Sequence, residues 1–91
     1  MAVVRKTVKV QNIAGLHARA AAKLVQLCDT MKSEVKLTRG RTTANAKSIM
    51  GVMMLAAACG SRLSVQTRGR DAKKAMDAIV ALFDDKFGEG K

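Results

Sequence analysis

Three segments of this chain alternate apolar and polar residues at period two, and this alternation restricts the fold more than any other feature. Apart from Lys6, which falls on the apolar side, the first segment consists of Val4, Arg5, Thr7, Val8, Lys9 and Val10. The second segment is centred on Val35 and Leu37, and the third on Leu63, Val65 and Thr67. Such a strand turns one face to a core and the other to water. The pattern therefore favours an antiparallel sheet over a parallel doubly wound fold, whose strands are apolar on both faces.

The segments between these strands have helical spacing. Ala18–Asp29 is rich in alanine, and its apolar residues fall on one helical face. Ser48–Ala57 predicts a short helix that is interrupted by Gly51 and ends before Gly60. Asp71 is a suitable N-cap for a last helix. The apolar stripe of that helix comprises Ala75, Met76, Ile79, Leu82, Phe83 and Phe87.

The order of these elements predicts the fold class. Gly40 marks a hairpin turn after the second strand, and residues 42–44 predict a weak return strand. The resulting order, β-α-β-β-α-β-α, predicts an α+β open-faced two-layer sandwich in which a four-stranded antiparallel sheet carries three helices on one face. A chain of 91 residues suffices for one compact core, so we expect a single domain over residues 1–91.

The chain is strongly basic, with 17 Lys and Arg residues against 7 Asp and Glu residues and a formal charge of +10. This balance favours negatively charged partners. No apolar stretch approaches the ~20 residues that cross a bilayer, and no targeting peptide is evident. We therefore expect a cytoplasmic protein without membrane insertion. Because Phe83 and Phe87 are the only aromatic residues, the chain lacks the stacking platform of single-strand nucleic acid binders, and no specific nucleic acid is expected.

The two cysteines give no indication of a metal site. Cys28 and Cys59 are far apart in sequence, and the single histidine is not at metal-ligand spacing from either. We therefore predict no metal and no cofactor, and interpret both cysteines as free thiols that act as small core hydrophobes. A single disulfide is the alternative.

His17 is the first residue for which the local pattern suggests chemistry. It precedes the first predicted helix in the run Gly15-Leu16-His17-Ala18-Arg19. The unpaired N–H groups and positive dipole end of a helix disfavour the imidazolium and can hold an anion such as a phosphoryl group. Arg19 can neutralise phosphate oxygens, and Gly15 permits a tight turn. The alternative is that His17 is only a helix cap or a surface residue.

Ser48 begins the second predicted helix, where a serine normally caps backbone N–H groups and where a phosphate is also favourable. The apolar residues that follow cover most of the helix circumference; they are Ile49, Met50, Val52, Met53 and Leu55. On a short helix over a sheet, some of them face water and form a docking patch for a partner. The alternative is a helix buried on all sides.

Together, the run from Gly15 to Arg19 and the run Asn45-Ala46-Lys47-Ser48-Ile49-Met50-Gly51 resemble the histidine-containing phosphocarrier (HPr) family of the bacterial phosphoenolpyruvate-dependent phosphotransferase system. The resemblance covers nearly the whole chain. It implies a phosphocarrier, not an enzyme, in which His17 accepts a phosphoryl group on Nδ1 from phosphorylated enzyme I and passes it to an enzyme II A component. The same resemblance places Arg19 at the position of the family's active-site arginine, which stabilises the phosphate. At the helix N-terminus, the amides of Ala18 and Arg19 would hold the transferred group.

The resemblance also implies regulation and docking. Ser48 matches the position that HPr kinase/phosphorylase phosphorylates, and the apolar docking residues of the family fall on Ile49, Met50 and Met53. One departure is Ala20, which replaces the proline of the family motif. Since alanine is a strong helix former, we expect a looser loop but a retained carrier role. The strong positive charge is also unusual for the family.

Two alternatives from other functional classes stay open at this stage. One is a regulatory binding module that acts through the Ser48 helix while His17 is idle. The other is non-specific nucleic acid binding, prompted by the charge of +10. For the carrier, we expect a monomer with a mobile, solvent-open site. A neutral imidazole needs no general base, which agrees with the absence of an acidic residue near His17 in the sequence.

Overall fold

The computed structural model describes residues 2–91. Its regular elements follow the predicted order, with a final 3₁₀ turn. They are β1 (Ala2–Lys9), α1 (Ala18–Asp29), β2 (Glu34–Arg39), β3 (Thr42–Asn45), α2 (Ile49–Met54), β4 (Arg62–Gly69), α3 (Ala72–Asp84) and the turn Lys86–Gly88.

The four strands form one antiparallel sheet in the order β1-β4-β2-β3. In its register, Val65 lies opposite Lys6 on one side and Leu37 on the other, and Leu37 lies opposite Ala44. The apolar residues of β2 and β4 are almost completely buried under the helices, while the alternate residues are mostly exposed. The prediction of an open-faced α+β sandwich is therefore confirmed, because alternating strands can bury only one face.

The core lies between this sheet and the apolar faces of α1 and α3. Leu24 and Ile79 are fully buried, and the rings of Phe83 and Phe87 meet edge to face with centroids 4.9 Å apart. Phe87 was expected to continue the stripe of the last helix. It lies instead in the separate 3₁₀ turn, because the backbone adopts positive φ at Lys86 (54°) and Phe87 (55°).

Two other elements end one or a few residues before their predicted segments do, although the second helix ends before Gly60 as predicted. The second helix ends at Met54 rather than extending toward Ala57, because the N–H of Leu55 bonds to the carbonyl of Val52 three residues back. Ala56 then adopts a φ of +50°, which no α-helix continues. The first strand ends at Lys9, and Val10 follows it as a buried residue.

The cysteines are both free, as predicted, but they are not both in the core. Cys28 is buried in α1, and this burial raises the pKa of its thiol to about 11. Cys59 is exposed, so the prediction of a core role is wrong for this residue. Among residues 2–91, no group of His, Cys, Asp and Glu side chains is arranged to hold a metal ion. Within the same range, no helix combines the length and the apolar character that crossing a bilayer requires.

Candidate functional site

His17 is the N-cap of α1, and its ring takes part in the cap. Its backbone is extended (φ −76°, ψ 179°), and its Nδ1 accepts a hydrogen bond from the N–H of Arg19 at 3.3 Å. The first helical hydrogen bond runs from Ala21 N–H to the His17 carbonyl at 2.8 Å. The side chain is 34% exposed, which makes the site half-open rather than fully open to water. The helix cap orients Nδ1 toward the first turn of α1.

The loop before His17 is held in place by the segment that follows α2. Leu16 is buried, and its N–H donates to the carbonyl of Ala57 at 2.9 Å. Gly15 has a φ of +71°, and a Cβ at this position would lie only 2.7 Å from the same carbonyl oxygen. The close approach therefore requires glycine, which agrees with the predicted tight turn.

An acidic residue that no local pattern in the sequence predicts lies beside the ring. Oε2 of Glu89 is 2.6 Å from Nε2 of His17, although the two residues are 72 positions apart in the chain. The sequence around His17 has no acidic residue, so this partner comes from a distant part of the chain. Nothing in the local pattern around Glu89 could have revealed this contact, because it depends on where the chain end returns to α1.

Asn12 was also missed, since the sequence marked it only as part of a loop. Its side chain is fully buried, and its Nδ2 donates to the Gly15 carbonyl at 2.7 Å and to Oε1 of Glu89 at 2.9 Å. The hydrogen bond from Asn12, followed by that from His17, lowers the pKa of the Glu89 carboxyl below its usual value. Glu89 is therefore ionised at neutral pH.

His17 faces an open groove of about 550 Å³ with several cationic side chains. The groove is lined by Ile13, Ala14, His17, Arg19, Lys23, Gly88, Glu89 and Lys91. Three of these residues are cations and one is a carboxylate already bound to the ring. A groove of this charge beside a helix N-terminus can receive an anionic group next to Nδ1. The structure thus brings His17 and Arg19 together, with Ala18 between them in the first turn of α1.

Ser48 lies apart from this groove, at the N-terminus of α2. Its Oγ accepts a hydrogen bond from the N–H of Gly51 at 3.1 Å, so it caps the helix as predicted. Of the two interpretations of the apolar residues after Ser48, exposure is confirmed. Val52 and Leu55 are buried, whereas Ile49 (43% exposed), Met50 (72%) and Met53 (40%) face water. Met54 (74% exposed) belongs to the same surface and was not predicted.

Ala20, where the family motif has proline, is fully buried in the first turn of α1. The first backbone N–H that donates a hydrogen bond within α1 is that of Ala21, the residue after Ala20. A proline at this position would therefore remove no hydrogen bond from the helix. With alanine at this position, the backbone of the first turn is still helical.

Comparison with known proteins identifies the family. A family model described as the PTS HPr component phosphorylation site matches residues 4–85. The phosphocarrier protein HPr of Cupriavidus necator is 54% identical over 80 residues, which cover 88% of this chain and 90% of the relative.

Solved structures agree with this result. A crystal structure of HPr from Thermoanaerobacter tengcongensis superposes with a TM-score of 0.91 at 37% identity and covers 94% of this chain and 97% of that chain. A structure described as an HPr dimer from the same organism has a TM-score of 0.77 at 38% identity, with 90% and 94% covered. The chain therefore belongs to the HPr family of phosphocarrier proteins of the phosphotransferase system.

Proposed function

We propose that His17 is the residue that carries the phosphoryl group, as a phosphohistidine intermediate. In this proposal, His17 accepts the group from phosphorylated enzyme I, with phosphoenolpyruvate as the ultimate donor, and passes it to an enzyme II A component in the cytoplasm. The observation that carries the proposal is the position of Nδ1, which lies at a helix N-terminus beside a groove lined by Arg19, Lys23 and Lys91.

The geometry supports a simple transfer step. The lone pair of Nδ1 attacks phosphorus, and the bond between phosphorus and the donor nitrogen breaks with its electron pair on the donor. Phosphoryl transfer depends mainly on positioning and charge neutralisation. In the unphosphorylated protein the Arg19 N–H bonds to Nδ1. Once Nδ1 is bonded to phosphorus, that N–H and the Ala18 N–H become donors to the phosphoryl oxygens, and the Arg19 guanidinium neutralises their charge.

A half-open groove suits a carrier, which must release its cargo as readily as it accepts it. The His17 side chain is 34% exposed, so part of it is open to a partner on the surface of the protein. A deep, closed site would bind the phosphoryl group more tightly and slow its release. Because one groove and one docking surface on each chain suffice for this role, we expect the protein to act as a monomer.

Docking of the protein partners is assigned to the exposed apolar surface of α2, formed by Ile49, Met50, Met53 and Met54. Methionine adapts to differently shaped partner surfaces, which suits a carrier that must visit enzyme I and enzyme II A in turn. The basic character of the chain, at +10, favours acidic partners.

Regulation is assigned to Ser48, as a substrate of HPr kinase/phosphorylase. Its hydroxyl caps α2 at the border of the docking surface. A phosphate there would add nearly two negative charges beside apolar side chains that a partner must desolvate. We therefore expect phosphorylation of Ser48 to weaken binding to enzyme I without unfolding α2.

The test is to incubate the chain with phosphoenolpyruvate and enzyme I, and separately with ATP and HPr kinase/phosphorylase, and to map both adducts by mass spectrometry. We expect an acid-labile adduct on His17 in the first case and an acid-stable adduct on Ser48 in the second. His17→Ala is expected to lose only the first adduct and Ser48→Ala only the second. Acid-labile labelling of His17→Ala would contradict the carrier assignment. A wild-type chain that is labelled on Ser48 but not on His17 would favour the regulatory binding module instead.

A further inference from the structure

The two ring nitrogens of His17 have partners of opposite hydrogen-bonding character. Nδ1 lies 3.3 Å from a donor, the N–H of Arg19, whereas Nε2 lies 2.6 Å from an acceptor, Oε2 of Glu89. A donor beside Nδ1 disfavours a proton on that nitrogen, and an ionised carboxylate favours one on Nε2. Both contacts therefore select the same neutral tautomer, with the proton on Nε2 and the lone pair on Nδ1.

The Glu89 carboxylate is itself held in place. Its second oxygen, Oε1, accepts a hydrogen bond at 2.9 Å from Asn12, which is fully buried. The chain around Glu89 is anchored by the buried ring of Phe87 on one side. On the other side, the Lys91 carbonyl accepts a hydrogen bond from Ile13 N–H at 3.0 Å. Glu89 thus meets the ring at a fixed position rather than as a freely moving surface side chain.

We propose that Glu89, oriented by Asn12, is a positioning residue that keeps the proton on Nε2 of His17 throughout the carrier cycle. This inference rests on the carrier role proposed above and deepens it. An acceptor that fixes the tautomer of a catalytic histidine through its second nitrogen is a general device in nucleophilic sites and metal sites.

The proton on Nε2 matters in both directions of transfer. When Nδ1 bonds to phosphorus, the ring keeps the Nε2 proton and becomes positively charged, and the adjacent carboxylate stabilises this charge. In onward transfer the N–P bond breaks, and its electron pair returns to Nδ1 as a neutral imidazole leaves. If Nε2 had lost its proton, the leaving group would be an imidazolate anion, which is a much stronger base and leaves more slowly. Glu89 therefore favours both uptake and delivery.

Other charged groups lie around the ring. Arg19, Lys23 and Lys91 line the same groove, and the N-terminus of α1 lies at Nδ1. These cations and the helix N-terminus favour an anionic phosphoryl group in the groove.

The test compares the wild type with Glu89→Gln, which keeps the shape and removes the charge, and with Glu34→Gln as a matched control on the exposed face of β2. Long-range ¹H–¹⁵N spectra of the unphosphorylated proteins report the tautomer of His17. We expect one tautomer, protonated at Nε2, in the wild type and in Glu34→Gln, and a mixture in Glu89→Gln. A single Nε2-protonated tautomer in Glu89→Gln would overturn the proposal.

A second measurement follows the phosphorylated proteins as the pH is raised. We expect Glu89→Gln to lose the Nε2 proton at a pH lower by one unit or more, since an opposite charge at this range shifts titration by about 1–3 units. Glu89→Asp should fall between the two, because the shorter side chain reaches less far. An unchanged titration in Glu89→Gln would overturn the proposal. The tautomer measurement needs no phosphorylation and therefore tests the role of Glu89 independently of enzyme I. If enzyme I failed to label the chain, the carrier role would be contradicted, but the measured effect of Glu89 on the tautomer would be unaffected.

Discussion

The N-termini of α1 and α2 are capped in the same way but lie in different surroundings. In both, a side chain at the N-cap accepts a backbone N–H, from Arg19 to His17 at 3.3 Å and from Gly51 to Ser48 at 3.1 Å. The His17 ring has a second nitrogen, which contacts Glu89, and it faces a cationic groove. Ser48 is instead followed by exposed Ile and Met side chains.

Capping geometry therefore orients a side chain but does not assign its chemistry. At His17, a charged partner from the chain end and nearby cations suit a residue that binds and releases an anionic group. At Ser48, an apolar exposed surface suits contact with a protein, which an added charge can oppose. If the surroundings, rather than the caps, separate the two sites, substitutions at His17's neighbours and at Ser48 should have different effects.

The largest effect is expected from removing the cation beside His17. Arg19→Ala should slow phosphorylation of His17 by enzyme I about 10- to 100-fold, because a hydrogen bond to a charged group contributes about 1.5–3 kcal/mol. The rate of label transfer from phosphoenolpyruvate measures this change. Arg41→Ala in the β2–β3 hairpin is the control for net charge, and equal slowing by both variants would show that the position of Arg19 does not matter.

A smaller effect separates charge from capping at Ser48. Ser48→Asp keeps an acceptor for α2 but adds a charge, and should weaken binding to enzyme I about tenfold, since unfavourable charge at an interface is costly. Ser48→Ala removes the cap, should lower the free energy of unfolding by about 1 kcal/mol, and should leave binding nearly unchanged. Calorimetric titration and urea unfolding measure the two quantities. Equal loss of binding in both variants would contradict the electrostatic explanation.

The third helix provides the smallest expected effect and a useful contrast. Asp71 occupies the N-cap of α3, as predicted, but its side chain does not cap that helix. It accepts hydrogen bonds from the N–H groups of Lys32 (3.0 Å) and Ser33 (2.9 Å) and from the Ser33 hydroxyl. The Ser33 hydroxyl, followed by the Lys32 N–H, lowers the pKa of Asp71 from 3.8 to about 2.

The sign of the pH dependence follows from this lowered pKa. The stabilisation by ionised Asp71 is complete above its ordinary pKa of 3.8 and is lost as the pH falls to about 2. In urea unfolding across this pH range, the free energy of unfolding of the wild type should therefore fall as the pH is lowered. The fall should be smaller in Asp71→Asn. Asp77→Asn, on the exposed face of α3, should behave as the wild type. An identical slope in Asp71→Asn would show that these hydrogen bonds do not stabilise the fold.

Much of the fold could be predicted because its signals are local. Alternation around Val35 and Leu37 and around Leu63 and Val65 predicts half-buried strands, and helical spacing predicts α1 and most of α3. The errors occur at element ends, where one hydrogen bond or one backbone angle decides. Ala56 and Phe87 both adopt positive φ, and no pattern of side chains around them predicts this conformation.

The site divides in the same way. The local sequence suffices to predict a histidine before a helix with an arginine two residues on, because a helix N-terminus and its N-cap are encoded within a few residues. The contact between Glu89 and the far side of that ring, and the hydrogen bond from Asn12 to Glu89, arise only when the chain folds. Contacts between residues 72 or 77 positions apart depend on how the last helix packs across the sheet, and the chain end arrives at His17 only once that packing has formed.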